Sequence, residues 1–250
     1  IGRTECSIFG WKYRANSDYR ISDTVSEERE NLKRLRKCFH SAFAERMLRY
    51  GFDRHGGGVY YEKTGFGRKG VMLLDYFRFG SLQISANMTV TLTDVEAMLF
   101  EYRTKVRGDT DTRKPEIQTL SENLGNIRGG IFRQWSNYNV ADIEETLDSI
   151  EKLINDFGLS FLESIDTPDK ALKEILETTT RKTVLGHPAF WWEKAFALMF
   201  VLDRRDLFDE YLPIFERLME NKTQTKGIVW AGYVRYKDWI IEKWSHQLHK

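Results

Sequence analysis

The chain has 250 residues, 41% hydrophobic and 30% charged, with 38 basic against 37 acidic side chains. That composition excludes fibrous, collagen-like and disordered classes, and a chain of this length buries roughly three quarters of its unfolded surface without needing disulfides or a structural metal. Near-neutral charge argues against a nucleic-acid partner, and no apolar run approaches the ~18 residues of a membrane span.

Residues 1–25 show no period and are expected to form an irregular arm. Ser26, followed by Glu27 and Glu28, marks a helix start. Leu32, Leu35, Phe39, Phe43 and Met47 then recur at helical spacing, and Gly51 closes the helix as a C′ glycine. The basic cluster Lys33, Arg34, Arg36 and Lys37 is the solvated side of that helix. Gly56-Gly57-Gly58, Gly65-Phe66-Gly67 and Gly80-Ser81 punctuate β-type runs at Val59–Lys63 and Val71–Phe79. Leu82, Ile84, Ala86, Met88, Val90 and Leu92 alternate with polar residues, the pattern of a strand with one buried face. Short turns between these runs favour an antiparallel meander.

Asp94–Tyr102 is expected to be a short helix capped by Asp94, residues 108–115 a loop, and Ile127–Trp135 a fourth strand with Gly129-Gly130 as a bulge. After Tyr138 the pattern is helical throughout. Ile143, Leu147, Ile150, Ile154 and Phe157 form one stripe, a break falls at Ser164–Pro168, and Ala171–Glu177 follows. His187-Pro188 opens an apolar helix reaching Leu202, with two further helices around Leu207–Leu218 and Val229–Trp244. The expected fold class is α+β: an antiparallel sheet meander with an N-terminal helix packed on it over residues 1–138, then an all-helical C-terminal lobe over 139–250, in one continuous unit.

Gly65-Phe66-Gly67-Arg68-Lys69-Gly70 spells a dinucleotide fingerprint, but a β-type run rather than a helix follows it, so a hairpin turn is the better reading. His40, His55, His187, His246 and His249 form no metal-binding spacing, and no nucleophile elbow or Cys/His protease signature occurs. Arg107-Gly108-Asp109 and the sequons at Asn87 and Asn221 are short enough to arise by chance. Cys6 and Cys38 stand far apart, as free thiols of a reducing compartment or one incidental pair. The C-terminal half is rich in aromatics, among them Trp191, Trp192, Phe196, Trp230, Tyr233 and Trp244. Most belong in a core, and any left exposed would anchor a partner.

Several local phrases carry a resemblance: Tyr50-Gly51-Phe52, Val59-Tyr60-Tyr61, the Ile84–Leu92 strand, Ile127-Arg128-Gly129-Gly130 with Trp135, and Phe157-Gly158-Leu159-Ser160-Phe161-Leu162-Glu163. Over roughly Asn31 to Glu177 the chain resembles a bacterial domain-of-unknown-function family, the 4304 family, although Ser160 stands where that family prefers proline and Trp135 lacks a second Trp beside it. The resemblance carries over no catalytic residue. By analogy of setting it suggests an immunity or accessory protein of a bacterial toxin system. The function expected is therefore a non-enzymatic, cytoplasmic protein-binding module whose partner is another protein, with no cofactor, metal, nucleic acid or membrane. The binding candidates are Gln83, Asn87, Arg128, Arg133, Trp135, His187, Trp191 and Trp192. The alternative is an enzyme of unrecognised type, with a pocket between the polar sheet face and the helical lobe.

Overall fold

A computed structural model describes residues 7–8, 11–12, 19–106, 108, 118–180, 191–220 and 228–247. A two-stranded hairpin, β1 (Ser7–Ile8) with β2 (Trp11–Lys12), precedes helix α1 (Tyr19–Leu48). The helix thus begins upstream of Ser26, and part of the expected arm is regular structure. Leu35, Phe39, Phe43 and Met47 are buried, as their spacing implies. Gly51, at φ +76, ends α1: its amide donates to the Leu48 carbonyl while the Phe52 amide reaches back to Met47, a Schellman closure.

The chain then folds back and forth through β3 (Asp53–Arg54), β4 (Val59–Thr64), β5 (Gly67–Arg78) and β6 (Ser81–Leu92). All neighbours pair antiparallel in chain order. The fingerprint-like glycines do make a hairpin, since Thr64 pairs with Gly67 across Gly65-Phe66. Gly70 lies so close to β4 that a Cβ there would strike the Tyr60 carbonyl oxygen.

After β6 come α2 (Thr93–Glu101), a π-helical turn (Tyr102–Val106), β7 (Leu120–Asn123), α3 (Leu124–Gly129) and β8 (Trp135–Asn137). Asp94 is not the cap of α2; the cap position is Leu92, with no side-chain bond, and Asp94 sits in the first turn where the helix dipole favours an acid. The fourth strand expected over Ile127–Trp135 is instead the end of α3, an irregular stretch and the start of β8. β7 and β8 both pair with β6, at Asn87–Val90 and Leu82–Ile84 respectively, so they share one edge of the sheet. Asn123 bridges the gap between them. Its Oδ1 accepts from the Gly125 and Arg133 amides while its Nδ2 donates to the Arg133 carbonyl. Gly130, at φ +79, is the C-terminal cap of α3 rather than a strand bulge.

The remainder is helical: α4 (Ala141–Leu153), a π-helical turn (Ile154–Gly158), α5 (Leu159–Ile165), α6 (Pro168–Thr180), α7 (Trp192–Val201), α8 (Arg205–Glu220) and α9 (Ile228–Gln247). The helix start expected at His187-Pro188 and all but Gly108 of the loop expected at 108–115 lie outside the described residues. α1 and α5 pack on the face of β6 that carries Leu82, Ile84, Ala86 and Met88. Gly158 brings the second π-helical turn within about 3.0 Å of Met88 Sδ, measured from where a Cβ would sit. Arg46 of α1 ties the two halves together, donating to Glu144, Asp148 and Glu151 of α4. In the lobe, Trp192 of α7 meets Phe196, Tyr233 and Tyr236 edge-on, and Phe208 meets Trp244. One set of buried side chains runs continuously from Leu35 to Trp244.

Candidate functional site

Strand alternation puts Leu74, Tyr76 and Arg78 of β5 on the face opposite α1, each paired with Ser85, Gln83 and Ser81 of β6. Ser136 of β8 pairs with Gln83, extending that face across the sheet edge. A hydrogen-bonded chain fixes its polar groups. Ser136 Oγ donates to Gln83 Oε1, Gln83 Nε2 donates to Ser81 Oγ, and Ser81 Oγ donates to the Arg78 carbonyl. Gln134 Nε2 donates to the Tyr76 hydroxyl at 2.7 Å.

Around this polar centre the chain leaves large apolar side chains in solvent. Leu74, Tyr76 and Phe79 come from the end of β5 and its turn; Ile131, Phe132, Tyr138 and Val140 come from the stretches flanking β8; Phe77, also exposed, pairs with Leu82 and belongs to the α1 face. Phe79 is 84% exposed and Ile131 77%. Since Leu82 pairs with Asn137, Tyr138 lies beside the hairpin tip, and since Gln134 bonds Tyr76, the stretch before β8 leads away from Leu74 and Tyr76 along the same sheet edge; the exposed apolar side chains follow that edge as a ledge. Contiguous exposed apolar surface makes a candidate interaction surface on a folded protein, whereas singly scattered apolar residues need no explanation.

Phe79 is held there at a conformational cost. It and Gly80 both have positive φ (50° and 70°), the geometry that matches a two-residue turn to strand twist. Asn, Asp or Gly normally supplies the first of these positions, because a Cβ-bearing aromatic is strained in it. The Arg78 guanidinium lies 4.7 Å from the Phe79 ring centroid, within cation–π range.

The residues singled out from sequence divide between several places. Gln83 lies on the ledge, and Asn87 lies further along the same face, accepting from Asn123 Nδ2. Arg128 is exposed on α3, three residues before Ile131. Arg133 and Trp135 come together on α4 instead: both donate to Ser149 Oγ, at 3.1 Å, and the guanidinium covers the indole. Trp135 is therefore buried and Trp192 is buried in the lobe core, so neither offers a contact surface. Trp191 is half-buried beneath Lys194, and His187 lies outside the described residues. Sequence reasoning missed Leu74, Tyr76, Phe79, Ile131, Phe132, Tyr138 and Val140. Phe79 did carry a signal, an aromatic in front of Gly80 where a hairpin turn calls for Asn or Asp.

A second cluster lies at the far end of β6. Glu96 Oε1 accepts from Thr119 Oγ1, which itself accepts from the Leu92 amide, while Glu96 Oε2 is buried without a hydrogen-bond partner. Burial pushes Glu96 up to about 7, against the opposing pull of the Thr119 bond and of Lys194, Arg103 and Arg68. Lys194 Nζ donates to the Gln118 carbonyl, and burial pushes it down to about 8 against Glu96 and Glu193. The adjoining space on the sheet, lined by Tyr61, Arg68, Thr91 and Gln118 among others, amounts to about 10 Å³, about the room of one water. A larger open groove of about 460 Å³ separates α6 from α8, with Leu172, Leu176, Leu207 and Tyr211 along it and Asp169, Lys173 and Arg204 at its rim. Among the described residues no group of three or more His, Cys, Asp or Glu is placed to hold a metal, and no helix is long and apolar enough to cross a membrane.

No family profile, no curated protein and no solved structure matches the chain.

Proposed function

We propose that this chain is a protein-binding module that works by covering part of its partner, in the manner of an immunity or accessory protein. The observation that carries the reading is the ledge on the open sheet face, where Leu74, Tyr76, Phe79, Ile131, Phe132 and Tyr138 stand exposed around a hydrogen-bonded polar centre. An apolar core with aromatics and arginine at a pre-ordered polar patch is the anatomy of an interface hot spot. A stable complex there would bury on the order of 1,600 Å². The resemblance to the 4304 family over Asn31–Glu177 supplies the setting of a toxin system.

The test compares the intact protein with a Phe79→Ser/Phe132→Ser variant as baits in an extract of the source cells. A stoichiometric protein that co-purifies with the first and not with the second is the expected result, with both baits melting within a few degrees of each other. Retention of the same protein by both baits, or of none by either, would overturn the proposal.

The enzymatic alternative has one observation in its favour, the Glu96–Lys194 pair, whose perturbed acid and base are of the sort found at catalytic centres. Turnover abolished by Glu96→Gln in a substrate screen, with the fold intact, would make that reading primary.

A further inference from the structure

β5 is longer than the strand beside it. Pairing with β4 stops at Val59 opposite Met72, and the last bond between the two runs from the Leu73 amide to the Gly58 carbonyl at 2.8 Å. From Leu74 to Arg78 the strand has β6 on one side and, among the described residues, no strand on the other. The turn decides which groups that leaves over. Arg78 pairs with Ser81 across Phe79-Gly80, so Arg78, Tyr76 and Leu74 direct their backbone amides and carbonyls to β6. Asp75 and Phe77 direct theirs the other way, as Leu73 does towards Gly58, and among the described residues no backbone group meets them.

Sheet edges are commonly guarded by proline, lysine or a bulge. The stretch Leu74-Asp75-Tyr76-Phe77-Arg78 has none of these, and its register against β6 is one to one throughout. Its one acid, Asp75, is turned onto Arg36 and His40 of α1. Apolar side chains flank the edge on both sides, Leu74 and Tyr76 on the open face and Phe77 on the α1 face, all of them exposed.

We propose that the partner enters as a β-strand: an extended segment of a foreign protein pairs with β5 from Leu74 to Arg78 and completes the hydrogen bonds of Asp75 and Phe77. This inference rests on the reading of the ledge as a protein-binding face and specifies how the partner meets it. Donors and acceptors alternating at strand spacing match a polypeptide backbone, and neither a lipid nor a nucleic acid offers such a series. Successive side chains of an added strand point to opposite faces, so alternate ones meet Leu74 and Tyr76 while the others meet Phe77. The segment is therefore apolar or aromatic on both of its faces. A second copy of this chain suits the edge less well. It offers only the same short overhang, and antiparallel pairing centred on Tyr76 sets Phe79 of each copy opposite Leu73, whose amide already bonds Gly58.

The experiment selects linear peptides from a phage-displayed random library on the intact protein and follows single amides by NMR hydrogen exchange. In the free protein the Asp75 and Phe77 amides should exchange at least tenfold faster than those of Leu74 and Tyr76, which β6 holds. Bound peptide should slow the first pair at least tenfold. Phe77→Pro removes an amide that makes no bond to β6, so β5 keeps its ladder; it should lower peptide affinity at least tenfold. Phe77→Val keeps the amide and should lower affinity less than threefold, which separates the backbone donor from the ring. Near-ultraviolet circular dichroism confirms that both variants fold. Peptides lost on Phe79→Ser/Phe132→Ser yet indifferent to Phe77→Pro, with the Asp75 and Phe77 amides still exchanging freely, would overturn strand addition and leave protein binding at the ledge standing. Peptides indifferent to every variant, or no peptide selected at all, would overturn both. A free protein that is dimeric by light scattering, has both amides already protected and becomes monomeric with Phe77→Pro would give the edge to a second copy and overturn the foreign strand.

Discussion

Along the β5–β6 hairpin, Val71, Leu73, Ile84, Ala86 and Met88 are sealed, while one residue away Leu74 and Tyr76 stand in water. The first set faces α1 and α5. The two faces also differ in how a carboxylate is kept near them. Burial disfavours the Asp75 charge on the sealed face, but hydrogen bonds from His40 and Arg36 more than compensate and lower its pKa. Glu96, beyond the other end of β6, has one hydroxyl for two oxygens, and there burial prevails. The contrast teaches that neither hydrophobicity nor charge decides the fate of a side chain here. The number of partners that the packed helices bring to it does.

The sealed face is the one whose loss should be felt most. Phe43, packed edge-on against Tyr60 at 4.9 Å, is fully enclosed. Phe43→Ala should cost about 3–5 kcal/mol in urea denaturation; a cost below 1 kcal/mol would show that α1 is not the lid of the core.

Glu96 gives the next largest effect, and its sign is opposite to that of an ordinary acid. Its pKa is about 7 when folded and near 4.5 when unfolded, so the folded chain holds more protons between those values. Stability is then greatest below pH 4.5 as far as this group is concerned, and falls as pH rises to about 7. Glu96→Gln should remove that decline and leave the protein on the order of 2–3 kcal/mol more stable at pH 7.5 relative to wild type than at pH 5. Denaturation at both values checks it, and an unchanged slope refutes the orphaned carboxylate.

Asp75 runs the other way: a lowered pKa contributes stability above the unfolded value near 3.8 that is lost as pH falls through the folded one. Asp75→Asn should cost about 2 kcal/mol at neutral pH by leaving Arg36 and His40 short of an acceptor. The smallest effect belongs to the ledge. Phe79→Gly should stabilise the protein by about 0.5–1 kcal/mol, since glycine adopts φ +50 freely. The same change should weaken partner binding. A stabilised variant that binds as well as wild type would mean that the strained aromatic serves the turn and not the interface.

Much of this architecture was legible. The alternation of Leu82 to Leu92 named both the strand and its sealed face, and the α1 stripe and Gly51 marked a helix and its end. The edge was not. Leu120-Ser121-Glu122-Asn123 has weak strand character and becomes one because β6 offers it a ladder, whereas apolar Ile131 and Phe132 were drawn into a strand that the Asn123 bonds interrupt. The π-helical turns at Tyr102–Val106 and Ile154–Gly158 left no mark in the spacing. Of the candidate face, Gln83 is the one residue also singled out from the sequence, because pattern alone says which residues are apolar and not which of them the fold leaves uncovered. The aromatics that drew attention in the C-terminal half are mostly its core: Trp192, Tyr233, Tyr236 and Trp244 are buried, while the exposed ones sit on the sheet.

The Arg46 clamp has a consequence for synthesis. Its acceptors lie 98 to 105 residues further along the chain, on the helix that helps enclose the sheet. As the polypeptide leaves the ribosome, the meander can pair its strands well before α4 and α5 exist. For that interval, several seconds at ordinary translation rates, the stripe from Leu82 to Leu92 lacks the cover of α5 and has only the earlier helices against it, so the nascent chain is at its most adhesive just after the sheet has formed. Chaperone dependence should therefore peak for chains stalled after residue 138, and fall once the acids facing Arg46 have emerged.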